Sequence, residues 1–188
     1  MKIERVDMWS KWGEVDALCI TTNGVVGRSG EAIMGAGNAK EVRDRFPGIA
    51  KHFGHAILQY GNIVQVIPGV QMGLLVKKQT SLVAFPTKEG MVVVGMPGVR
   101  VLPAYEKSYQ RGARIPGWAC YSPPGLIEQS CEDLVVLTDM KGWETVILPM
   151  PGVGQGGMSI SESEALCRRY RSEEHTSELQ SRFGISYA

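Results

Sequence analysis

The sequence has no long hydrophobic run and no excess of charge of one sign. No apolar stretch approaches the roughly 20 residues of a membrane-spanning helix, and residues 1–9 lack the apolar core of a signal peptide. The formal net charge is +1, so the overall charge does not attract nucleic acid or anionic lipid. We therefore expect no membrane partner, and we expect any polyanion to bind through a local group of residues.

Several common site motifs are also missing. The cysteines form no C-x-x-C pair, and Cys19, Cys131 and Cys167 fall in strand-like or helix-like stretches. This pattern is typical of buried free thiols in a reducing compartment, so we predict a cytoplasmic protein.

No glycine-rich segment continues into Gly-Lys-Ser/Thr, which argues against NTP hydrolysis. His52 and His55 have no further ligand at metal-binding spacing, and we predict neither a metal nor a cofactor.

Two glycine-rich loops, each after a short apolar run, are the most informative feature present. The first starts at Thr21-Thr22-Asn23-Gly24 and continues to residues 34–38, and the second covers residues 151–158. Glycine allows a backbone to approach a ligand closely and to point its N–H groups at phosphate oxygens. The first loop also opens a predicted helix, whose N-terminus favours an anion. Together the loops predict a site that holds a diphosphate from two sides. The alternative is close backbone packing without a ligand.

Strand-like and helix-like segments alternate along the chain, which predicts one α/β layered domain over residues 1–170. The predicted strands are 2–8, 17–22, 62–67, 82–85 and 145–148, with a weaker candidate at 74–76. The predicted helices are 39–46, 49–60, 127–140 and 161–170.

Two regions depart from this alternation. Residues 89–124 form a long insertion rich in Pro and Gly, in which 91–94 and 99–102 flank a Gly-Met-Pro-Gly segment like a hairpin. Loops of this length are usually functional or disordered. Residues 171–188 resemble the translation of a sequencing adapter, and we exclude them from fold reasoning as a tail that is not native. A polar amphipathic helix is the alternative for that tail.

Five segments, in this order, resemble the macrodomain family. They are Thr21-Thr22-Asn23-Gly24, residues 30–37, Arg45-Phe46-Pro47, Phe85-Pro86-Thr87-Lys88 and residues 148–157. The chain looks most like the branch of terminal ADP-ribose–protein glycohydrolases and DNA ADP-ribosyl glycohydrolase antitoxins, with its small phage and bacterial relatives. The resemblance covers residues 1–170 apart from the insertion. It implies a three-layer α/β/α sandwich with a mixed central sheet and a cleft at the carboxyl ends of the strands.

The resemblance implies a role for each ligand-binding residue. Asp7 would accept a hydrogen bond from the adenine amino group, and Thr22 and Asn23 would meet the distal ribose. From the residues alone, an exposed charge at a strand end and a simple turn explain these positions as well. The residues expected around the diphosphate are Met34, Gly35, Ala36, Gly37, Gly152, Val153, Gly154, Gln155, Gly156 and Gly157.

Lys88 and Ser159 are the candidate catalytic residues. Hydrolytic relatives carry, at the position of Lys88, a lysine that attacks the anomeric carbon of the distal ribose. That step needs a neutral amine and hence a lowered pKa, whereas the alternative is a solvated lysine at a strand end. Ser159 stands where those relatives carry an Asp, and a serine is no general base near neutral pH without a partner. Ser159 or Ser161 as N-cap, followed by Glu162 or Glu164, also matches a helix cap.

The sequence thus predicts a monomer that binds ADP-ribose or an ADP-ribosylated protein or nucleic acid, with hydrolysis of the ADP-ribosyl bond through Lys88 as an extension. The alternatives are a reader without turnover and an ADP-ribose 1″-phosphate phosphatase. In the family, a further strand follows the last helix and enters the sheet. Residues 183–187 have side chains suited to that place, and we predict poor solubility for the chain as given.

Overall fold

The computed structural model of the protein describes residues 2–4, 7–68, 79–169 and 183–186. At its centre lies a sheet of six strands in the order β1-β8-β7-β2-β4-β3. All neighbouring pairs are parallel except β3 with β4, so the sheet is mixed. The strands of this sheet are β1 (Lys2–Glu4), β2 (Ala17–Asn23), β3 (Gln65–Val66), β4 (Ser81–Lys88), β7 (Val146–Pro149) and β8 (Phe183–Ser186).

Helices cover both faces of the sheet. They are α1 (Gly37–Arg45), α2 (Ile49–Tyr60), α3 (Pro124–Lys141) and α4 (Ile160–Arg169). Leu18 and Ile20 of β2 pack in one cluster with residues of α1 and α2. Ala17 and Cys19 pack in a second cluster with residues of α3 and α4. Because successive residues of a strand point to opposite faces, the nearly continuous apolar run of β2 serves both layers. This arrangement confirms the predicted three-layer α/β/α sandwich.

Residue types at the helix ends explain where several helices begin and end. Gly48 precedes α2 with a φ of +84°, and Gly61 ends it with a φ of +92°. Helix α3 begins at Pro124, where a missing N–H costs nothing, and stops at Gly142 in the left-handed conformation. Within the described part of the chain, no helix is long and apolar enough to cross a membrane.

The insertion forms a small unit with a core of its own. Strands β5 (Met91–Val93) and β6 (Arg114–Pro116) make an antiparallel pair apart from the main sheet. The predicted pairing of 91–94 with 99–102 is therefore wrong. The Val99 N–H closes a turn onto the Met96 carbonyl, and Val101 bridges to Cys120 instead. The buried residues of this core are Val101, Ile115, Ala119 and Cys120.

Two predicted strands are shorter in the structure. Of the first, Lys2–Glu4 forms β1 and Met8–Lys11 forms a 3-10 helix. The segment predicted over 62–67 contributes only Gln65–Val66. The weaker candidate at 74–76 lies outside the described residues.

Strand β8 lies between β1 and β7 and is parallel to both, with Ile185 opposite Ile3 and Leu148. A strand at this interior position hydrogen-bonds the backbone of two neighbours that would otherwise be exposed edges. Phe183–Ser186 thus occupies the interior position that the resemblance assigns to the last strand. The rest of the tail lies outside the described residues, and its non-native origin stays a prediction.

Candidate functional site

The carboxyl ends of three adjacent parallel strands meet at one edge of the sheet. Strand β2 lies between β7 and β4, with Leu18 opposite Ile147 and Asn23 opposite Lys88. The segments that follow these strands therefore emerge side by side. They include the approach to the first glycine loop (residues 34–37), the Lys88 side chain and the second glycine loop (residues 152–157). Open α/β sheets bind ligands at such an edge.

The first glycine loop is exposed and has open space at its glycines. A methyl group added at Gly35 or Gly37 would meet no atom within 4 Å. Met34 anchors the loop in the core, and Ala36 precedes α1 without a side-chain cap. The first N–H groups of a helix need partners from outside the helix, and this end also carries positive dipole charge. The loop therefore presents an uncapped helix start to which an anion can bind.

Asn23 shapes the approach to this loop. Its side-chain amide donates to the Ile33 carbonyl at 2.9 Å, and its side-chain oxygen accepts from the Val25 N–H at 3.0 Å. Both contacts join the end of β2 to the segment that leads into residues 34–37. The Asn23 side chain therefore stabilises the conformation of this segment with both its N–H donor and its oxygen acceptor.

Asn38, which sequence reasoning missed, connects α1 to β2. It is 7% exposed, and its side-chain oxygen accepts from the Thr21 hydroxyl at 2.9 Å and the Thr21 N–H at 3.3 Å. A polar residue in the first turn of a helix, directly after the glycine loop, is the signal that would have indicated it. The contact fixes the helix start against the sheet edge.

Asp7 lies beside the same helix start. Its carboxylate accepts from the Trp9 N–H at 3.0 Å and so caps the 3-10 helix that begins at Met8. Met8 is buried, and the Asn38 amide approaches its sulfur at 4.0 Å. The residue that follows Asp7 therefore contacts the first turn of α1.

An aromatic cluster, also missed from sequence, adjoins Asp7. The Trp9 and Trp12 rings are 6.0 Å apart, and Phe46 lies 5.2 Å from Trp12. The Arg45 guanidinium lies 4.5 Å above the Trp9 ring. Trp9 also donates its indole N–H to Glu41, which ties the cluster to α1.

The second glycine loop is packed, in contrast to the first. A methyl group added at Gly156 would lie 2.5 Å from the Ser122 hydroxyl, and one at Gly157 would lie 2.4 Å from the Tyr121 ring. One added at Gly152 would lie 2.4 Å from the Met158 sulfur. Gly154 faces open space. Val153 pairs with Met158 across the loop, and Gln155 is exposed. A side chain at Gly152, Gly156 or Gly157 would therefore have to displace a neighbouring side chain.

Lys88 is buried at the end of β4, with 7% of its surface exposed. Its ammonium group donates to the carbonyl oxygens of Trp118 at 3.0 Å, Cys120 at 2.7 Å and Gln155 at 2.6 Å. Burial lowers the pKa of Lys88 to about 8. All three donors of the charged amine thus have backbone acceptors, two in the insertion and one in the second glycine loop.

Thr22 is also buried, and its hydroxyl has no hydrogen-bond partner among the described residues. The Thr87 hydroxyl donates to the Thr22 carbonyl at 3.3 Å, and the Asn62 amide donates to the Lys88 carbonyl at 3.0 Å. The first contact joins the ends of β2 and β4, and the second ties the end of β4 to the segment between α2 and β3. The structure places the Thr22 side chain in the interior of this junction.

Ser159 takes part in a reciprocal cap at the start of α4. Its hydroxyl accepts from the Glu162 N–H at 3.2 Å, and its own N–H donates to the Glu162 carboxylate at 2.7 Å. The hydroxyl also donates to that carboxylate at 2.7 Å, and these hydrogen bonds lower the pKa of Glu162. This is the capping-box geometry. The contacts match the cap considered from sequence, and a catalytic role of Ser159 stays a prediction.

Solved structures with the same architecture identify the fold. The macrodomain of Mycobacterium tuberculosis DarG superimposes with a TM-score of 0.66 at 19% identity, covering 99% of this chain and 95% of that one. The chain has the macrodomain fold. The macrodomain of Thermus aquaticus DarG gives a TM-score of 0.63 at 19% identity, over 100% of this chain and 97% of that one.

A third similar structure is Thermosipho africanus DarTG in complex with ADP-ribose. Its TM-score is 0.68 at 19% identity, over 100% of this chain and 42% of that chain. No family model and no curated protein matches the sequence. The predicted resemblance to macrodomains is confirmed at the level of the fold.

Proposed function

We propose that this macrodomain binds ADP-ribose, free or attached to a macromolecule, at the carboxyl edge of its sheet. The observation that carries the proposal is the exposed and uncapped start of α1, with open space at Gly35 and Gly37. The second glycine loop follows a neighbouring strand and emerges at the same edge. A diphosphate between the two loops would receive backbone N–H groups and the positive end of the helix dipole.

In this proposal the ligand lies across the edge of the sheet, with adenine towards Asp7 and the distal ribose towards Lys88. Asp7 is exposed and directly precedes Met8, whose sulfur the Asn38 amide of the first turn of α1 approaches. Its carboxylate has two oxygens, and a hydrogen bond from the Trp9 N–H occupies one of them. The adenine amino group is a donor that a carboxylate can accept, whereas a carbonyl at the same ring position would be repelled.

Hydrolysis of an ADP-ribosyl bond through Lys88 is the second candidate function. Burial lowers the pKa of Lys88 to about 8, so roughly a tenth of the amine is neutral at neutral pH. The three carbonyl contacts oppose this role, because they favour the charged amine and direct it away from solvent. We therefore propose binding as the principal function. The nature of the modified macromolecule, a monomeric state and a cytoplasmic location remain proposals.

Calorimetry of the full chain with ADP-ribose tests the binding proposal. We expect saturable binding, and we expect replacement of adenine by hypoxanthine to weaken it by about tenfold, the order of one hydrogen bond to a charged group. The Asp7→Asn variant should lose most of this preference, because its amide can donate as well as accept. No binding at millimolar ADP-ribose by a folded chain would contradict the proposal.

Hydrolysis needs a separate assay. ADP-ribosylated protein and ADP-ribosylated DNA are incubated with the wild-type chain and with Lys88→Arg, whose guanidinium keeps the charge but is no nucleophile, and free ADP-ribose is quantified. Release by the wild type and not by a variant that still binds ADP-ribose would identify an enzyme. Binding without release from either substrate would identify a reader.

A further inference from the structure

Lys88 joins three segments that are far apart in sequence. The lysine ends β4, two of its acceptors belong to residues 118–120 of the insertion, and the third is Gln155 of the second glycine loop. The insertion and the loop therefore share one buried cation. A lysine that served only as a nucleophile would not need all three of its protons bound by backbone oxygens.

The insertion and the second glycine loop also contact each other directly around this cation. The Ser122 N–H donates to the Gly156 carbonyl at 2.9 Å, and the Tyr121 ring packs on Gly157. The Arg100 guanidinium lies 3.7 Å from the centre of the Tyr121 ring on the insertion side. The insertion and the second glycine loop thus meet in one contact surface, formed by residues 118–122 and 155–157. The Lys88 ammonium group lies within it and hydrogen-bonds both sides.

We propose that Lys88 is a positioning residue whose charged amine fastens the insertion to the second glycine loop and holds that loop in its ligand-binding form. The inference rests on the proposed binding of ADP-ribose. A neutral amine has one donor fewer, and its lone pair would face a carbonyl oxygen. Charge-assisted hydrogen bonds are also roughly twice as strong as neutral ones. Loss of the proton therefore weakens the junction and releases the loop.

The groups around the amine leave Lys88 as the residue that titrates. The electrostatic interaction with Cys120 raises the pKa of Lys88, against the larger lowering by burial. Burial raises the pKa of the Cys120 thiol itself. The surrounding elements also carry Glu89, Arg100 and Glu162. Hydrogen bonds from Ser159 and attraction by Arg100 lower the pKa of Glu162, so this carboxylate stays charged throughout the range in question. A decrease in affinity above neutral pH is then the expected signature of Lys88.

The experiment measures the affinity of the full chain for ADP-ribose by calorimetry between about pH 6.5 and pH 9.5. If the charged amine is required, affinity falls as the pH rises through about 8, by roughly 30-fold at the upper end. Lys88→Met should bind weakly and without this pH dependence. Lys88→Arg keeps a cation throughout the range and should bind with a flat profile. Lys107→Met, an exposed lysine of the insertion, is the matched control and should retain the wild-type profile.

Hydrogen exchange provides a readout that does not depend on the ligand. At neutral pH the Ser122 amide, which donates to Gly156, should exchange at least tenfold faster in Lys88→Met than in the wild type, while the amides of β2 stay protected. If Lys88→Met does not fold, the pH dependence of ADP-ribose affinity in the wild type and in Lys88→Arg still tests the proposal. Unchanged protection of the Ser122 amide, or a wild-type affinity that does not depend on pH, would overturn the positioning role of Lys88. Either result would leave the binding proposal intact. Absence of binding at every pH would overturn the binding proposal. Hydrogen exchange at Ser122 would then still test whether Lys88 fastens the insertion to the second glycine loop.

Discussion

The two glycine loops have similar compositions and different surroundings. In the first, Gly35 and Gly37 are exposed and face open space. In the second, Gly152 and Gly156 are buried, and added methyl groups at both would overlap side chains. Glycine in the first loop leaves room beside the backbone, whereas glycine in the second lets other parts of the protein approach it.

This difference separates two uses of glycine that a sequence does not distinguish. Sequence analysis left open that the glycines serve only close backbone packing. That explanation fits Gly152, Gly156 and Gly157 of the second loop. It does not describe the first, where no atom of the described residues lies within 4 Å of a methyl group added at Gly35 or Gly37. The first loop is therefore the stronger part of the candidate site. The following substitutions test the contrast.

Gly157→Ala should have the largest effect. Gly157 has a φ of +74°, which costs alanine about 1–2 kcal/mol, and its methyl group would overlap the Tyr121 ring. With overpacking added, we expect unfolding free energy to fall by about 2–4 kcal/mol in urea titrations. Gly154→Ala is the matched control, because Gly154 has a φ of +68° and no neighbour within 4 Å. Equal losses in the two variants would show that the packing of Tyr121 is unimportant.

Asn38→Ala should reduce unfolding free energy by about 1–2 kcal/mol, since it removes a buried acceptor for both Thr21 donors. Thermal and urea unfolding measure the loss. Asn38→Asp keeps the acceptor and places a negative charge near the diphosphate, so it should retain stability and lose affinity for ADP-ribose. Wild-type stability of Asn38→Ala would mean that α1 is held to the sheet by packing alone.

Gly35→Asp should separate stability from binding. An acidic residue just before α1 interacts favourably with the helix dipole, so unfolding free energy should stay the same or rise by up to about 1 kcal/mol. The same charge would repel a diphosphate, and we expect ADP-ribose affinity to fall by at least tenfold, or about 1.4 kcal/mol. Gly35→Ala is the neutral control. Unchanged affinity of Gly35→Asp in calorimetry would place the ligand elsewhere.

Ser159→Ala should have the smallest effect, a loss of about 1 kcal/mol of unfolding free energy, because it removes the helix cap after the second loop. Ser161→Ala, whose exposed hydroxyl contacts Ser159 only, should change stability by less than about 0.5 kcal/mol. If the protein releases ADP-ribose, a purely structural Ser159 predicts an unchanged rate per folded molecule. A strong loss of rate at wild-type stability would instead support the catalytic prediction.

Residues with local signals were predicted well. The apolar run of β2, the glycines around α2 and the cap formed by Ser159 and Glu162 are recognisable because each depends on a few neighbouring residues. Burial lowers the pKa of Lys88, so the alternative of a solvated lysine at a strand end does not describe it, while its catalytic role stays a prediction.

Contacts between distant segments were not predictable in this way. The partner of β5 was misassigned because 99–102 has strand-like residues, while β6 follows a longer connection and contributes Ile115 to the small core. The backbone acceptors of Lys88 have no side-chain signature at all. Asn38 looks like an ordinary helix residue until the end of β2 is placed against it.

The sequence by itself determined the layered α/β architecture and the position of both glycine loops, because hydrophobic periodicity and backbone freedom are local properties. Only the tertiary structure decided which loop is open, which is packed, and that Lys88 donates its protons to the insertion and the second loop. Those outcomes depend on where segments tens of residues apart meet, and packing at that junction is set by the whole chain.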